Sequence, residues 1–200
     1  MPDFPCSSQI RDAIRERAEH ATFGYTYQPG EIWTGVAAWL EQHHGWVEAP
    51  SSFVFSASIV TSFANILRAC TEPGDGVLVM TPLFRPLQDA VRGTGRRLVE
   101  YHLAWNGASK EYEFDLEAVV QQLRKGDCRA LLLCNPHNPS GRVWSHEELT
   151  GLAEVCHRSG TLLVSDEIWA DWVFSPRRHV PIMAAAKPVN PRLENIIALG

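Results

Sequence analysis

Apolar residues along this chain follow two rhythms. Short unbroken apolar runs, Val77–Met80, Ala130–Cys134, Thr161–Ser165 and Ile196–Leu199, have the length and composition of buried strands. Arg97–His102 and Phe53–Phe55 read as two further strands. Between them lie segments with helical spacing. In Ser8–His20, Ile10, Ala13, Ile14 and Ala18 share a face; in Trp33–His43, Val36, Ala37 and Leu40 turn inward. Ile59–Cys70 opens directly from the Phe53–Phe55 run, and Leu83–Val91 carries Pro86, which fits only in its first turn. Asp115 caps a helix with Leu116, Val119, Val120 and Leu123 inside. Ser145-His-Glu-Glu148 is a capping box, and the helix it starts runs to about His157 and is stopped by Gly160. Glu72–Gly76 is a turn, and Ser175–Pro191 is the most linker-like stretch.

Strands without a wet face, alternating with amphipathic helices, predict an α/β fold: a mostly parallel sheet with helices on both faces. Such sheets bind ligands beyond the carboxyl ends of their strands, at Ser56–Val60, Thr81–Phe84, Asn135–Gly141 and Asp166–Trp169 in this chain. Three of these segments carry recognisable chemistry. Cys134-Asn-Pro-His-Asn-Pro-Ser-Gly141 places two Asn-Pro steps at a strand end, where proline keeps the preceding residue out of the helical region and Asn138 can be aimed at a fixed ligand oxygen. In Ser165-Asp-Glu-Ile-Trp169, Asp166 directly follows an apolar strand and is desolvated unless a cation meets it; its alternative role is to cap the following turn. At Ser56-Ala-Ser-Ile-Val60 the free N–H groups of a helix start face an anion position, although Ser58 also reads simply as an N-cap.

Composition narrows the function classes. The 200 residues are 45% hydrophobic and 20% charged, with formal net charge -5, and offer no basic footprint for nucleic acid or anionic membrane. No run approaches the ~20 apolar residues of a membrane span. The five cysteines, Cys6, Cys70, Cys128, Cys134 and Cys156, contain no C-x-x-C pair, and read as reduced thiols of a cytoplasmic protein. Gly93-Thr-Gly95 lacks the rest of a dinucleotide fingerprint, there is no P-loop or G-x-S-x-G elbow, and His43-His44 has no zinc spacing. His137 reads as a solvated loop histidine, and all the tryptophans but Trp169 as core or interface residues.

Taken in order, Asp3-Phe4, Phe23-Gly-Tyr-Thr26, Thr81-Pro-Leu-Phe84, Asn135–Trp144 and Ser165–Ile168 followed by Asp171 resemble the large domain of pyridoxal-phosphate enzymes of the aspartate-aminotransferase fold. The closest resemblance is to the MalY/PatB-type cystathionine β-lyases, also called cysteine-S-conjugate β-lyases. It implies pyridoxal 5'-phosphate as cofactor, with Asp166 at the ring nitrogen, Asn138 donating to the phenolic oxygen and Phe84 against the ring face. The backbone at Ser58, Ile59 and Val60 would hold the phosphate, and Tyr25 would reach a phosphate across a homodimer interface. Trp169 stands where the family commonly has Tyr or His; an indole only donates a hydrogen bond.

The same resemblance implies a fragment. It divides the chain into an N-terminal helical segment, 1–45, and a partial cofactor-binding large domain, 46–200, without the small domain. The Schiff-base lysine is expected just beyond Gly200, so this chain carries no catalytic residue; Lys110, Lys125 and Lys187 read as surface lysines. For the full-length parent the implied reaction is β-elimination from an amino-acid thioether to thiol, pyruvate and ammonia. An aminotransferase shares every residue named. A third expectation, of another class, is a non-catalytic cofactor-binding or dimerisation module.

Overall fold

The computed structural model describes residues 4–25 and 29–200, so Asp3 and Thr26 lie outside the described residues. Its elements are α1 (Ser8–Glu19), α2 (Gly30–His44), α3 (Ile59–Cys70), β1 (Gly76–Thr81), α4 (Arg85–Gly93), β2 (Arg97–His102), β3 (Ala104–Asn106), β4 (Glu111–Glu113), α5 (Leu116–Lys125), β5 (Cys128–Cys134), α6 (His146–Ser159), β6 (Leu162–Asp166), α7 (Ile182–Ala186) and β7 (Ile196–Leu199). Five strands form one sheet in the order β2-β1-β5-β6-β7, all parallel.

Because side chains alternate across a strand, each central strand feeds two cores. Leu78, Met80, Leu131, Leu133 and Leu163 point to one face, where Val119 and Leu123 of α5, Leu149, Leu152 and Cys156 of α6 and Ile182 of α7 cover them. Val77, Val79, Ala130, Leu132, Cys134 and Val164 point to the other, under Phe63 and Leu67 of α3 and Leu87 and Val91 of α4. Helices on both faces leave the middle of the sheet no wet side, which is why β1, β5 and β6 are largely apolar, whereas the edge strand β2 exposes Arg97, Glu100 and His102.

Local signals set the helix ends. Pro86 falls in the first turn of α4. Ser145 Oγ accepts from Glu148 N at 3.2 Å while Glu148 Oε2 accepts from Ser145 N at 2.6 Å, closing the capping box at α6. Gly160, at φ 66°, ends that helix in the left-handed region where side chains are rarely tolerated.

Three expectations need correction. Phe53–Phe55 is extended but joins no ladder among the described residues, and Val54 and Phe55 are exposed. A strand is made by its neighbour, and β-branched or aromatic composition alone does not supply one. The face of α1 built from Ile10 and Ile14 is exposed; α1 and α2 contribute no buried residue, although Val36, Ala37 and Leu40 are half-buried as expected. Finally, Ser175–Pro191 is not a linker. It contains α7 and buries His179, Ile182, Ala185, Ala186 and Asn190. The hairpin β3–β4, antiparallel through Trp105 and Tyr112, was not foreseen.

Candidate active site at the carboxyl edge of the sheet

The carboxyl ends of β1, β5 and β6 meet at one rim. Cys134 and Asp166 are register partners, and Asn135 N donates to the Asp166 carbonyl at 2.9 Å, so the Asn-Pro loop starts beside that carboxylate. The loop then turns back on itself. His137 N donates to Arg142 O and Gly141 N to His137 O, both at 2.7 Å, and Gly141 sits at φ 72°. Asn138 N donates to Cys134 Sγ at 3.3 Å, and its carbonyl accepts from Phe84 N at 3.2 Å. Asn138 is thereby tied to the ends of both β5 and β1. Asn135–Pro136 and Asn138–Pro139 are cis peptides.

Asp166 is 5% exposed. Its Oδ1 accepts from Ile168 N at 3.2 Å, so it does cap the following turn. That bond is too little for a buried charge. Burial raises the carboxyl from 3.8 to about 6, with the Ile168 bond opposing and Glu167 adding to the rise; no lysine, arginine or histidine of the described residues offsets it. The next residue is differently placed. Glu167 Oε1 accepts from Ser165 Oγ and Ile182 N, each at 2.8 Å, and Oε2 faces His179 Nε2 at 3.1 Å. Glu167 thus fastens α7 and the loop before it to the site strand, which the sequence reading did not foresee.

At the start of α3, Ser58 Oγ accepts from Thr61 N at 3.2 Å, the N-cap geometry. Ile59 and Val60 pack on the core that includes Cys134 and Val164, and their N–H groups have no acceptor among the described residues. Phe84 is the N-cap of α4, 41% exposed at the rim. Tyr25 is fully exposed. The rim therefore gathers Asp166, Asn138 and Phe84 through backbone bonds, and Ile59 and Val60 through a shared core, while Tyr25 stands apart.

A cavity of about 310 Å³ opens beside this rim, lined by Asn138, Trp169, His137, Trp172, Phe174 and Arg177 among others. His137 corrects the expectation of a solvated ring: it is 2% exposed, its Nδ1 lies 2.7 Å from Ser140 Oγ, and burial lowers its pKa. Trp172, Phe174 and Arg177 belong to no motif that marks them as lining residues. Their signal was the aromatic spacing Trp169, Trp172, Phe174 directly after the Asp166 strand end.

These features define a doubly wound parallel α/β domain whose carboxyl rim brings together a buried acid, Asp166, and the Asn-Pro loop, the edge at which sheets of this kind bind ligands. More particularly, the chain belongs to the aminotransferase class I and II family, whose model matches residues 1–198. It is 37% identical over 179 residues to cystathionine beta-lyase PatB of Bacillus subtilis, covering 90% of this chain and 46% of that protein. Protein MalY of Escherichia coli is 29% identical over 180 residues, with 90% and 46% covered. The pyridoxal-phosphate-bound C-S lyase of Staphylococcus hominis superposes with TM-score 0.90 at 29% identity, over 98% of this chain and 49% of that one. Cystalysin from Treponema denticola, which contains a pyridoxal 5'-phosphate cofactor, superposes with TM-score 0.89 at 26% identity, over 98% and 48%. The chain spans about half the length of the curated relatives it matches.

Proposed function

We propose that this chain is the cofactor-binding half of a pyridoxal-phosphate-dependent carbon–sulfur β-lyase, releasing thiol, pyruvate and ammonia from an amino-acid thioether. The observation that carries the reading is Asp166, a buried carboxylate at a strand end with no cation of the described residues offsetting it. A protonated pyridine nitrogen is the partner such a group lacks, and the residues around it fit the rest of the cofactor. The names of the PatB and Staphylococcus hominis relatives favour the lyase over an aminotransferase.

Pyridoxal phosphate, when bound, supplies an electron sink for a carbanion at the substrate α-carbon. Asp166 holds the proton on the ring nitrogen that keeps this sink effective. The Asn138 side-chain amide donates to the phenolic oxygen, from a loop already locked to β1 and β5. Phe84 offers a ring face as a platform. The unpaired N–H groups of Ile59 and Val60, at the positive end of α3, bind phosphate oxygens. Ser58 acts chiefly by capping that helix, since its hydroxyl is engaged with Thr61. Trp169 walls the cavity beside Asn138.

The proton-moving lysine is not among these residues. Lys110, Lys125 and Lys187 are all exposed. Incubation of the chain with pyridoxal phosphate, borohydride reduction and intact-mass measurement is expected to give no stoichiometric adduct; a stable one would put a reactive lysine within these 200 residues. In the longer protein, pyruvate is expected to form steadily from cystathionine or another cysteine thioether with no keto-acid acceptor present. Turnover only with an acceptor would make it an aminotransferase.

The reading extends to a homodimer and a division near residue 45. Exposed Ile10, Ile14, Phe23, Tyr25, Val54 and Phe55 form apolar surface of the kind subunit interfaces cover. No helix of the described residues is long and apolar enough to cross a membrane. A cytoplasmic location is consistent with free thiols at Cys6, Cys70, Cys128, Cys134 and Cys156.

A further inference from the structure

Two buried acids stand side by side at the end of β6, and their surroundings differ. Glu167 bonds to Ser165 Oγ and to Ile182 N of α7, each at 2.8 Å, so it lies on the α7 side of the sheet with Ser165. Strand alternation puts Asp166 on the other side with Val164, where Ile59 and Val60 pack. The Glu167 carboxylate has a third donor: its Oε2 accepts from His179 Nε2 at 3.1 Å. Asp166 has a single donor among the described residues, Ile168 N at 3.2 Å. His179 is the distant member of this set, and its side chain is 1% exposed. Its Nδ1 is buried with no hydrogen-bond partner among the described residues. The imidazole proton therefore belongs on Nε2, where Glu167 accepts it; on Nδ1 it would be buried and unpaired. Behind the ring stands His44 of α2, edge-on with centroids 5.2 Å apart. His44 Nε2 lies 2.7 Å from Asp171 Oδ1, which also accepts from Trp39 Nε1 at 3.2 Å. His179 is thus held between α2 and the Glu167 carboxylate. Both peptides flanking Glu167 are committed as well. Glu167 N donates to Leu199 O at 2.7 Å, and Glu167 O accepts from Ala170 N at 2.8 Å. The second of these peptides carries the Ile168 N–H that orients Asp166.

We propose that His179 is a positioning residue for Asp166: its Nε2–H holds the Glu167 carboxylate on the α7 side, which leaves Asp166 as the free acid of the pair and steadies the turn whose N–H aims it. The inference rests on the pyridoxal-phosphate reading for the ring that Asp166 meets. Without the imidazole donor, Glu167 keeps a buried charge one partner short, and such a charge seeks other dipoles. Freed to rotate, it would compete with Asp166 for the donors of the 166–168 turn. Beyond burial, the Glu167 charge already pushes the Asp166 carboxyl up, so the two acids are not independent.

Amide hydrogen exchange and cofactor retention of the 200-residue chain test this separately. In the cofactor-free chain, His179→Leu is expected to speed exchange of the Ile168 amide by about tenfold or more, the scale of one lost hydrogen bond to a charged group. His179→Gln, which can carry an N–H close to the imidazole Nε2 position, should restore slow exchange. Retention of pyridoxal phosphate, followed by its absorbance, should fall about tenfold in His179→Leu and return to within about twofold of the parent in His179→Gln. In an Asp166→Asn background, His179→Leu should cost less than about twofold more, because its effect passes through Asp166. A ring that merely fills space would cost the same in both backgrounds and would not be rescued by glutamine. His179→Asn, whose shorter amide does not reach Glu167, replaces His179→Leu if the leucine variant loses its fold. Unchanged Ile168 exchange, unchanged retention, no rescue by glutamine or equal losses in the two backgrounds would each overturn the assignment. A parent chain that retains no pyridoxal phosphate, with the Ile168 response and its rescue intact, sinks the cofactor reading and leaves the hold of His179 on Asp166 standing.

Discussion

Asp166→Asn is expected to weaken retention of pyridoxal phosphate by about a hundredfold, near 3 kcal/mol, while making the cofactor-free chain more stable. The two effects have one cause. In the chain alone the carboxylate is buried with a single backbone donor, and burial raises it from 3.8 to about 6. An acid whose folded pKa lies above its unfolded value binds more protons when folded. Against a neutral side chain its cost is therefore absent below about 3.8, grows as pH rises, and levels off above about 6. A two-unit rise corresponds to about 2–3 kcal/mol at neutral pH. Asparagine keeps an acceptor for Ile168 N and removes the charge, so the cofactor-free variant should melt several degrees higher at pH 7 and gain little at pH 4. With the cofactor present the order reverses, because a neutral amide cannot neutralise a cationic ring. Thermal unfolding with and without pyridoxal phosphate, at both pH values, reads all four cases. A variant that retains the cofactor as well as the parent chain removes Asp166 from the ring nitrogen. A variant that gains no stability without cofactor means the carboxylate is better solvated than its burial implies.

What was legible in the sequence was what local physics decides. Ala130–Cys134 has no polar position to offer water, so it had to be a central strand. Ser145 and Glu148 at capping-box spacing fixed the start of α6 without help from tertiary contacts. Asp166 and Asn138 stood out because a carboxylate or an amide directly after a buried strand has few other reasons to be there. The misses were decided at a distance. Phe53–Phe55 has strand composition but no neighbour among the described residues. Ile182–Ala186 was hidden among prolines, yet Glu167 Oε1 caps its first N–H from across the site. His137 reads as a solvated side chain because nothing within the loop tells that Trp144 packs edge-on against its ring at 5.9 Å. The same is true of the cavity wall, where Trp172 and Phe174 matter only because the Asn-Pro loop folds opposite them.

The loop that carries Asn138 depends on a second buried charge, Arg142, and its removal is the other change with a large expected effect. Arg142 is 9% exposed at its side chain. Its Nη2 donates to both carboxylate oxygens of Glu148 at 2.8 and 3.0 Å, its Nε to Tyr112 O at 3.1 Å, and its Nη1 to Val143 O, while the guanidinium lies 5.0 Å from the centre of the Trp144 ring. One planar group thus joins the β3–β4 hairpin, the end of the Asn-Pro loop and the α6 capping box. Arg142→Leu should cost about 3–5 kcal/mol of unfolding free energy, since it strands Glu148 and strips donors from two carbonyls. Arg142→Lys should recover only about 1–2 kcal/mol, because an ammonium cannot span Glu148 and two carbonyls from one plane. Adding Glu148→Gln to Arg142→Leu separates the causes: glutamine still closes the capping box, so stability returns in part if the stranded carboxylate is the main loss. Urea unfolding of the three variants, with cofactor retention measured beside it, decides the matter. If Arg142→Lys proves as stable as the parent, the guanidinium fork does not hold the loop, and Asn138 owes its position to the Cys134 and Phe84 bonds alone.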